Sequence, residues 1–305
     1  MDFLDVPIDV RHPPRPLITE SSKLLKNVCF FTVQHGWQWM TRPNAVGGRR
    51  LTLLSFGTRT ADDFPIYGRT ECQFVPIGSL TLSNYLSVRP IQKEKSYQIC
   101  LVSSIRNEKF FDYPDERSRA FVAMVELYQD FLRKSPVTTI VALNNRGLEV
   151  NRELEKSWFA SRFGAKAAFT DPSQKFGGLN VEFDEVLRDE SDSLTYPTYY
   201  ASDVSNVTVG GTSTVLWESF ARGNKVLAVN MTNSDNFDFP EPGIWSMRNP
   251  SAAEFENRLN EILGIDPERW LALSGAARER LIMSDSRNTT AERLAFVIHR
   301  AATAI

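Results

Sequence analysis

The sequence predicts an α/β fold of two domains, each built around a parallel sheet. Short apolar runs alternate with helical patterns along most of the chain, and the segment Ser205–Asn230 has the order strand, glycine turn, helix and strand. The chain has 305 residues with 42% apolar content, which is enough for two ordinary cores. In folds of this class, ligands bind at the carboxyl ends of the strands.

The first 90 residues predict a small or incomplete N-terminal domain. Its opening sixteen residues contain four prolines and predict an extended arm. Apolar runs predict three strands, at residues 27–33, 51–56 and 72–78. Residues 80–97 are polar and irregular in pattern, so we place the domain boundary there, near residue 90. The two predicted domains are residues 1–90 and 91–305.

The C-terminal domain shows the clearer alternation of elements. Strands are predicted at residues 98–103, 137–143, 167–170, 207–209 and 225–230. Helices are predicted at residues 115–134, 149–163, 195–202, 251–264, 267–282 and 290–302. Ser251 followed by Glu254 fits a capping box at the start of one of these helices.

The segment Ser205–Asn230 carries the most specific pattern. Its first strand ends at Gly210 and Gly211, where the backbone can approach a ligand closely. Three residues with hydroxyl groups then open the predicted helix: Thr212, Ser213 and Thr214. A helix N-terminus of this kind suits a phosphate group. The alternative is ordinary N-cap chemistry, which occurs in any fold of this class.

Composition limits the function classes. Lys and Arg number 35 against 37 Asp and Glu, a net charge of −2, so the overall balance does not predict a nucleic acid partner. The three cysteines lack metal-ligand spacing and suit buried thiols in a reducing compartment. The sequence shows no secretory signal and no apolar run near the roughly 20 residues of a membrane span. We therefore expect a cytoplasmic protein, and peripheral contact with the inner face of the membrane stays open.

The run Glu218-Ser-Phe-Ala-Arg-Gly223-Asn-Lys-Val226 resembles the Glu-x-x-Ala/Leu-x-Gly-x-Pro-Val signature of glycosyltransferases with the GT-B fold. Lys225 stands where proline is usual. The resemblance implies two Rossmann-like domains and a nucleotide-sugar that is a substrate, with no cofactor. In that family the matching glutamate accepts hydrogen bonds from the donor ribose, which implies this role for Glu218. Retaining members carry a further glutamate where this chain has Gly210, so the anomeric outcome stays open.

His35 ends the first predicted strand, directly before Gly36. A histidine there can accept a proton near neutral pH, although a histidine bonded to backbone is an equal alternative. Strand-His-Gly segments such as VQHGW are similar to those of GT-B enzymes that build bacterial surface polymers, where the histidine lies in the interdomain cleft. This likeness implies that His35 is the acceptor-side catalytic base or an acceptor-binding residue.

Polar residues after other strands complete the site that the resemblance implies. In GT-B folds the loop after the first strand of the second domain faces the donor pyrophosphate, which implies that Ser104 and Arg106 bind it. A solvated loop arginine is the alternative for Arg106. Contacts to the donor sugar or base are expected from Asn144, Asn230 and Asn233. No metal site is predicted, because the acidic residues after the last of these strands lack the spacing of metal-dependent transferases.

The sequence therefore predicts a metal-independent glycosyltransferase that moves a sugar from a nucleotide-sugar donor to a surface glycan or lipid-linked glycan. CMP-linked donors stay open. The alternatives are a nucleotide-sugar epimerase of the same fold and a nucleotide- or glycan-binding module without turnover. A dinucleotide-dependent dehydrogenase is disfavoured, because no glycine cluster has the GxGxxG spacing. GT-B N-terminal domains have six or seven strands, so this chain has a reduced domain or lacks a preceding part.

Overall fold

The computed structural model describes residues 30–34, 51–63, 72–88, 94–105, 109–112, 114–144, 149–170, 196–211, 213–283 and 289–303. Within these ranges the strands form two sheets, and every strand pair in both sheets is parallel. This confirms the predicted α/β class with parallel sheets. The proposed boundary near residue 90 stays a prediction.

The smaller sheet has three strands in the order β1-β2-β3. The strands and the helices that follow β2 and β3 are β1 Phe30–Val33, β2 Leu51–Ser55, α1 Arg59–Asp63, β3 Cys72–Pro76 and α2 Leu80–Val88. Each strand lies within the apolar run that predicts it. Parallel pairing brings the carboxyl ends of all three strands to one edge of the sheet.

Helix α2 corrects the prediction that residues 80–97 are irregular. Ser79 caps the helix, because its hydroxyl accepts a hydrogen bond of 3.1 Å from the backbone N–H of Leu82. Leu82 and Tyr85 lie one turn apart and are both buried, whereas Asn84 and Ser87 are exposed. The apolar stripe is only two residues wide, so tertiary burial and the cap define the helix more than composition does.

The larger sheet has six strands in the order β6-β5-β4-β7-β8-β9. Its strands are β4 Tyr97–Val102, β5 Thr139–Ala142, β6 Ala167–Phe169, β7 Ser205–Gly210, β8 Lys225–Asn230 and β9 Ser246–Arg248. The chain runs outward from β4 through β5 to β6, then returns to β7 on the other side of β4. The direction of winding therefore reverses between β4 and β7, which is where doubly wound sheets bind ligands.

Apart from the short α3, the helices of this larger unit agree with the predicted ones in place and type. They are α3 Lys109–Asp112, α4 Glu116–Lys134, α5 Glu149–Phe163, α6 Tyr196–Asp203, α7 Thr214–Ala221, α8 Ala252–Gly264, α9 Pro267–Leu281 and α10 Thr290–Thr303. Ser251 and Glu254 form the predicted capping box on α8. The sequence analysis did not predict α1, α3 or β9, which have only three to five residues each.

The core extends from the larger sheet into the smaller unit. Phe56, Leu82 and Tyr85 belong to the same buried cluster as the strands of the larger sheet. The C-terminal part of the chain adds backbone contacts, because the N–H of Met283 donates to the carbonyl of Phe56 at 2.7 Å. The two sheets are thus joined by both apolar packing and hydrogen bonds.

Candidate functional site

The candidate site lies at the carboxyl edge of the larger sheet, where β4 and β7 are neighbours. Leu101 of β4 pairs with Val209 of β7, so the residues after each strand emerge side by side. Ser104 follows β4 and is partly exposed, and Gly211 follows β7. The structure therefore brings the predicted phosphate turn next to the loop that begins with Ser104.

The turn between β7 and α7 forms as predicted. Ser213 is the N-cap of α7, and its hydroxyl accepts a hydrogen bond of 3.3 Å from the N–H of Val215. Thr214 is the first residue of the helix, so its backbone N–H points out of the helix N-terminus. These N–H groups and the helix dipole favour an anion at this position.

Packing restricts the first glycine of the turn, Gly210, but not the second, Gly211. A Cβ on Gly210 would lie 3.3 Å from both the Val102 Cβ and the Leu216 side chain, so packing between β4 and α7 restricts this position. A Cβ on Gly211 would lie 3.7 Å from the carbonyl of Val229, which is an ordinary contact. Gly211 also has no positive φ. Among the described residues, nothing therefore requires glycine at position 211, which is consistent with close approach of a ligand.

Glu218 lies on α7 and is buried, with 3% exposure. Its Oε1 accepts a hydrogen bond of 2.5 Å from the Ser79 hydroxyl, and its Oε2 accepts one of 2.6 Å from the Tyr199 hydroxyl. Hydrogen bonds from hydroxyls to a carboxylate are short and strong, and they offset the cost of burying a charge. Glu218 thus joins the larger unit to Ser79, which follows the last strand of the smaller sheet.

A second buried carboxylate, Asp203, lies at the same junction. It accepts hydrogen bonds from Tyr85 at 2.8 Å, Arg222 at 2.9 Å and Asn224 at 2.7 Å. Burial by itself raises the pKa of Asp203, but the Arg222 guanidinium and the hydrogen bonds outweigh burial and hold the pKa below its usual range. Tyr85 and Ser79 are therefore two separate points at which α2 is bonded to the larger unit.

The loops after β4 and β5 share a buried carboxyl group. Glu155 of α5 is 2% exposed and accepts a hydrogen bond of 2.8 Å from the backbone N–H of Asn144. Burial raises the pKa of Glu155 to about 7, although hydrogen bonds from the Ser103 hydroxyl and the Asn144 N–H act in the opposite direction. Glu155 therefore anchors the ends of two neighbouring strands beside the candidate site.

The loop after β8 is organised by Asn230. The Asn230 amide donates to the Ser234 carbonyl and to Asp238, and its oxygen accepts from both the N–H and the hydroxyl of Thr232. These four bonds use the donor and acceptor capacity of an asparagine side chain. Asn233 lies on the same loop and is exposed. The donor contacts predicted for Asn230 and Asn233 stay predictions.

Three predicted site residues, His35, Arg106 and Thr212, lie outside the described residues. His35 follows Gln34 in the chain, and Gln34 is buried at the carboxyl end of β1. The Gln34 side-chain oxygen accepts hydrogen bonds from the Phe56 N–H at 2.8 Å and the Thr60 hydroxyl at 3.1 Å. The carboxyl edge of the smaller sheet therefore carries both Gln34 and Ser79.

Sequence reasoning missed three residues that the structure places around the site. Ser79 and Tyr199 bond Glu218, and Glu155 bonds the strand ends. A signal existed for Glu155, because it is four and eight residues before the buried Phe159 and Phe163, on one helix face. Ser79 had only the signal of an N-cap between Gly78 and an apolar residue.

Among the described residues, no cluster of three or more histidine, cysteine, aspartate or glutamate side chains is arranged to hold a metal ion. Cys100 is a free, buried thiol in β4, and burial raises its pKa.

Among the helices that the structure describes, none combines the length and apolar character needed to cross a bilayer.

No family model and no curated protein matches the chain. A solved structure that resembles it is sucrose-phosphate synthase from Thermosynechococcus elongatus, at 16% sequence identity and a TM-score of 0.42. The alignment covers 84% of this chain and 59% of that one, so this chain spans well under two thirds of the length of the solved protein. The fold described above rests on the strand pairing.

Proposed function

We propose that this chain is a glycosyltransferase that moves a sugar from a nucleotide-sugar donor to a glycan or lipid-linked glycan acceptor. One observation carries the proposal: the glycine turn and the N-terminus of α7 lie beside the end of β4, at the point where the sheet changes its direction of winding. A diphosphate bound there faces backbone N–H groups and the positive end of a helix dipole.

In this proposal the donor diphosphate occupies the turn from Gly210 to Thr214, with Ser104 and Arg106 on its other side. Breaking the glycosidic bond leaves negative charge on the departing nucleotide. Fixed N–H groups and a guanidinium stabilise that charge without a metal ion. Glu218 accepts hydrogen bonds from the ribose, and Asn144 and Asn233 contact the base or the donor sugar.

His35 is the proposed base that removes a proton from the acceptor hydroxyl. Supporting this role, it comes directly after Gln34 at the edge of the smaller sheet that also carries Ser79, and Ser79 contacts Glu218. The acceptor base is therefore proposed at the sheet edge that also carries Ser79. Transfer then takes place with the acceptor oxygen attacking the anomeric carbon as the nucleotide leaves.

A thermal-shift panel of UDP, GDP, CDP, CMP and TDP tests the donor site. A ligand that binds only the folded state raises the melting temperature by mass action. We expect one nucleotide to raise it for the wild-type protein and a smaller shift for Glu218→Ala. No shift with any of the five nucleotides would contradict the proposed donor site.

Turnover distinguishes an enzyme from a binding module. With sugar donors of the nucleotide that binds, we expect release of nucleotide by the wild type and its loss in His35→Ala, which should still bind the nucleotide. Nucleotide binding without release from any sugar donor would assign the chain as a nucleotide-binding module.

A further inference from the structure

Glu218 is already bonded by hydroxyl groups in this structure, and one of them comes from the smaller unit. The Ser79 hydroxyl donates to Oε1 at 2.5 Å, whereas Tyr199 donates to Oε2 at 2.6 Å. Both Ser79 and Glu218 are 3% exposed, so the bond is shielded from water. A ribose offers the same chemical group that Ser79 offers, an aliphatic hydroxyl that donates to a carboxylate.

We propose that the Ser79 hydroxyl occupies the position on Glu218 Oε1 that a ribose hydroxyl takes when a nucleotide binds. Nucleotide binding then replaces the Ser79 hydroxyl with the ribose hydroxyl. This inference rests on the proposed function, because it needs the ribose to reach Glu218. Tyr199 is the positioning residue in the exchange. Its hydroxyl keeps the other carboxylate oxygen, so the carboxylate stays oriented while Oε1 changes partner.

Ser79 links this exchange to the smaller unit. The same hydroxyl that donates to Glu218 also accepts the N–H of Leu82 and so caps α2. Displacing Ser79 therefore disturbs the first turn of α2, directly after the strand end at Pro76. Another tether of α2 is the Tyr85 hydroxyl, which donates to Asp203 at 2.8 Å and not to Glu218, while the Tyr85 ring packs on Tyr199. Nucleotide binding thus acts on the Ser79 end of α2.

Ser79→Gly removes the competing hydroxyl. Glycine is tolerated at an N-cap far better than alanine, so this variant keeps most of the cap. Because a charge-assisted hydrogen bond no longer has to be broken, we expect Ser79→Gly to bind a ribonucleotide about tenfold more tightly than the wild type. Ser79→Thr retains the hydroxyl and should bind with wild-type affinity.

The measurement is isothermal titration of the wild type and Ser79→Gly with UDP, CDP and GDP, and with the 2′,3′-dideoxy form of each. We expect the gain in affinity with a ribonucleotide and no gain with its dideoxy form, which has no hydroxyl to replace Ser79. Tyr85→Phe is the matched control, because it breaks the other tether of α2 without touching Glu218. It should leave both affinities unchanged.

The outcomes separate this inference from the proposed function. If a nucleotide binds but Ser79→Gly gives no gain, the exchange is wrong while the donor site stands. If Ser79→Gly gains equal affinity for the dideoxy form, or if Tyr85→Phe gains the same affinity as Ser79→Gly, the gain comes from a general loosening of the contact between α2 and the larger unit. Either result would overturn the proposed exchange of hydroxyl groups. If none of the five nucleotides of the thermal-shift panel binds the wild type, the donor site fails and this inference fails with it.

Discussion

Buried carboxylates are the residues on which the candidate site depends. Glu218, Asp203 and Glu155 have 3%, 8% and 2% exposure, and each accepts at least one hydrogen bond from a residue outside its own element. A buried charge is costly unless such bonds satisfy it. These three residues therefore fix the positions of chain segments that are far apart in sequence.

Glu155 should give the protein a characteristic pH dependence of stability. Its pKa in the folded protein is about 7, above the ordinary value of 4.5, so the folded state binds more protons than the unfolded state between these values. The free energy of unfolding should therefore fall as the pH rises through this window and level off above it. Between about pH 5 and pH 8, the free energy of unfolding should fall by about 2 kcal/mol more in the wild type than in Glu155→Gln, which has no carboxyl group to titrate.

Urea unfolding at both pH values measures this difference. Glu153→Gln is the matched control, because Glu153 lies on the same helix and is exposed. It should retain the wild-type dependence on pH. If the wild type and Glu155→Gln lose equal stability between the two pH values, the buried-carboxyl account of Glu155 is wrong.

For single residues, the sequence predicts helix caps better than hydrogen bonds between residues that are far apart in the chain. The helix start predicted at residues 212–214 and the capping box at Ser251 depend on neighbours within three residues, and the structure has a cap at Ser213 and the box at Ser251. The Ser79–Glu218 bond joins residues 139 positions apart, so no local pattern contains it. Sequence resemblance implied a ligand for Glu218, whereas folding brings a serine to it.

Helices and strands follow from local patterns where they are long or buried on both faces. Strands β4, β5, β7 and β8 are short apolar runs with mostly buried residues, and each was predicted. Helix α2 was missed because its apolar face is narrow, and β9 because it has three residues on the edge of the sheet. Both depend on tertiary contacts, since α2 packs through Leu82 and Tyr85 and β9 pairs with β8.

Gly275 gives a test of helix α9. It lies in the interior of the helix, and an added Cβ would meet no atom within 4 Å. Alanine has the higher helix propensity, so Gly275→Ala should raise the free energy of unfolding by about 0.5–1 kcal/mol. Urea unfolding measures the change. The comparison is Gly223→Ala, which should destabilise, because Gly223 has φ +91° and its Cβ would lie 2.8 Å from Leu271. A loss of stability in Gly275→Ala would contradict this description of α9.

At the scale of the whole molecule, the two sheets are held together by the C-terminal part of the chain. Arg280 pairs with Asp62 at 2.5 Å, and Arg293 donates to the Ile77 carbonyl at 2.8 Å. Helix α10 also packs on α2. These contacts connect the end of the chain to the smaller sheet, so we expect the two units to unfold together.

Gly57 tests this connection. A Cβ at Gly57 would lie 2.2 Å from the carbonyl oxygen of Arg280. The nearest atoms are all backbone atoms of Arg280 and Leu281, so no flexible side chain can move aside. Gly57→Ala must therefore push the two units apart, and we expect a loss of about 2 kcal/mol in the free energy of unfolding. Gly264→Ala is the control, because its Cβ would have open space. Equal stability of these two variants in urea unfolding would contradict the described contact.

The predicted fold class is confirmed at this scale, whereas the roles of the site residues stay predictions. Parallel pairing and the position of the β7–α7 turn follow from strand order, which the alternation of elements predicts. The contacts proposed for a donor and an acceptor involve ligands and residues far apart in sequence, so no local pattern specifies them. Ligand binding at the turn is therefore the central claim to test.

The most direct test is the affinity of Gly211→Ala for the nucleotide that gives the largest shift among UDP, GDP, CDP, CMP and TDP. An added Cβ makes only an ordinary contact at 3.7 Å, so the variant should keep the wild-type melting temperature. A methyl group there blocks close approach of a phosphate to the backbone, so isothermal titration should show affinity at least about tenfold weaker. Unchanged affinity in a variant of wild-type stability would contradict a phosphate site at this turn.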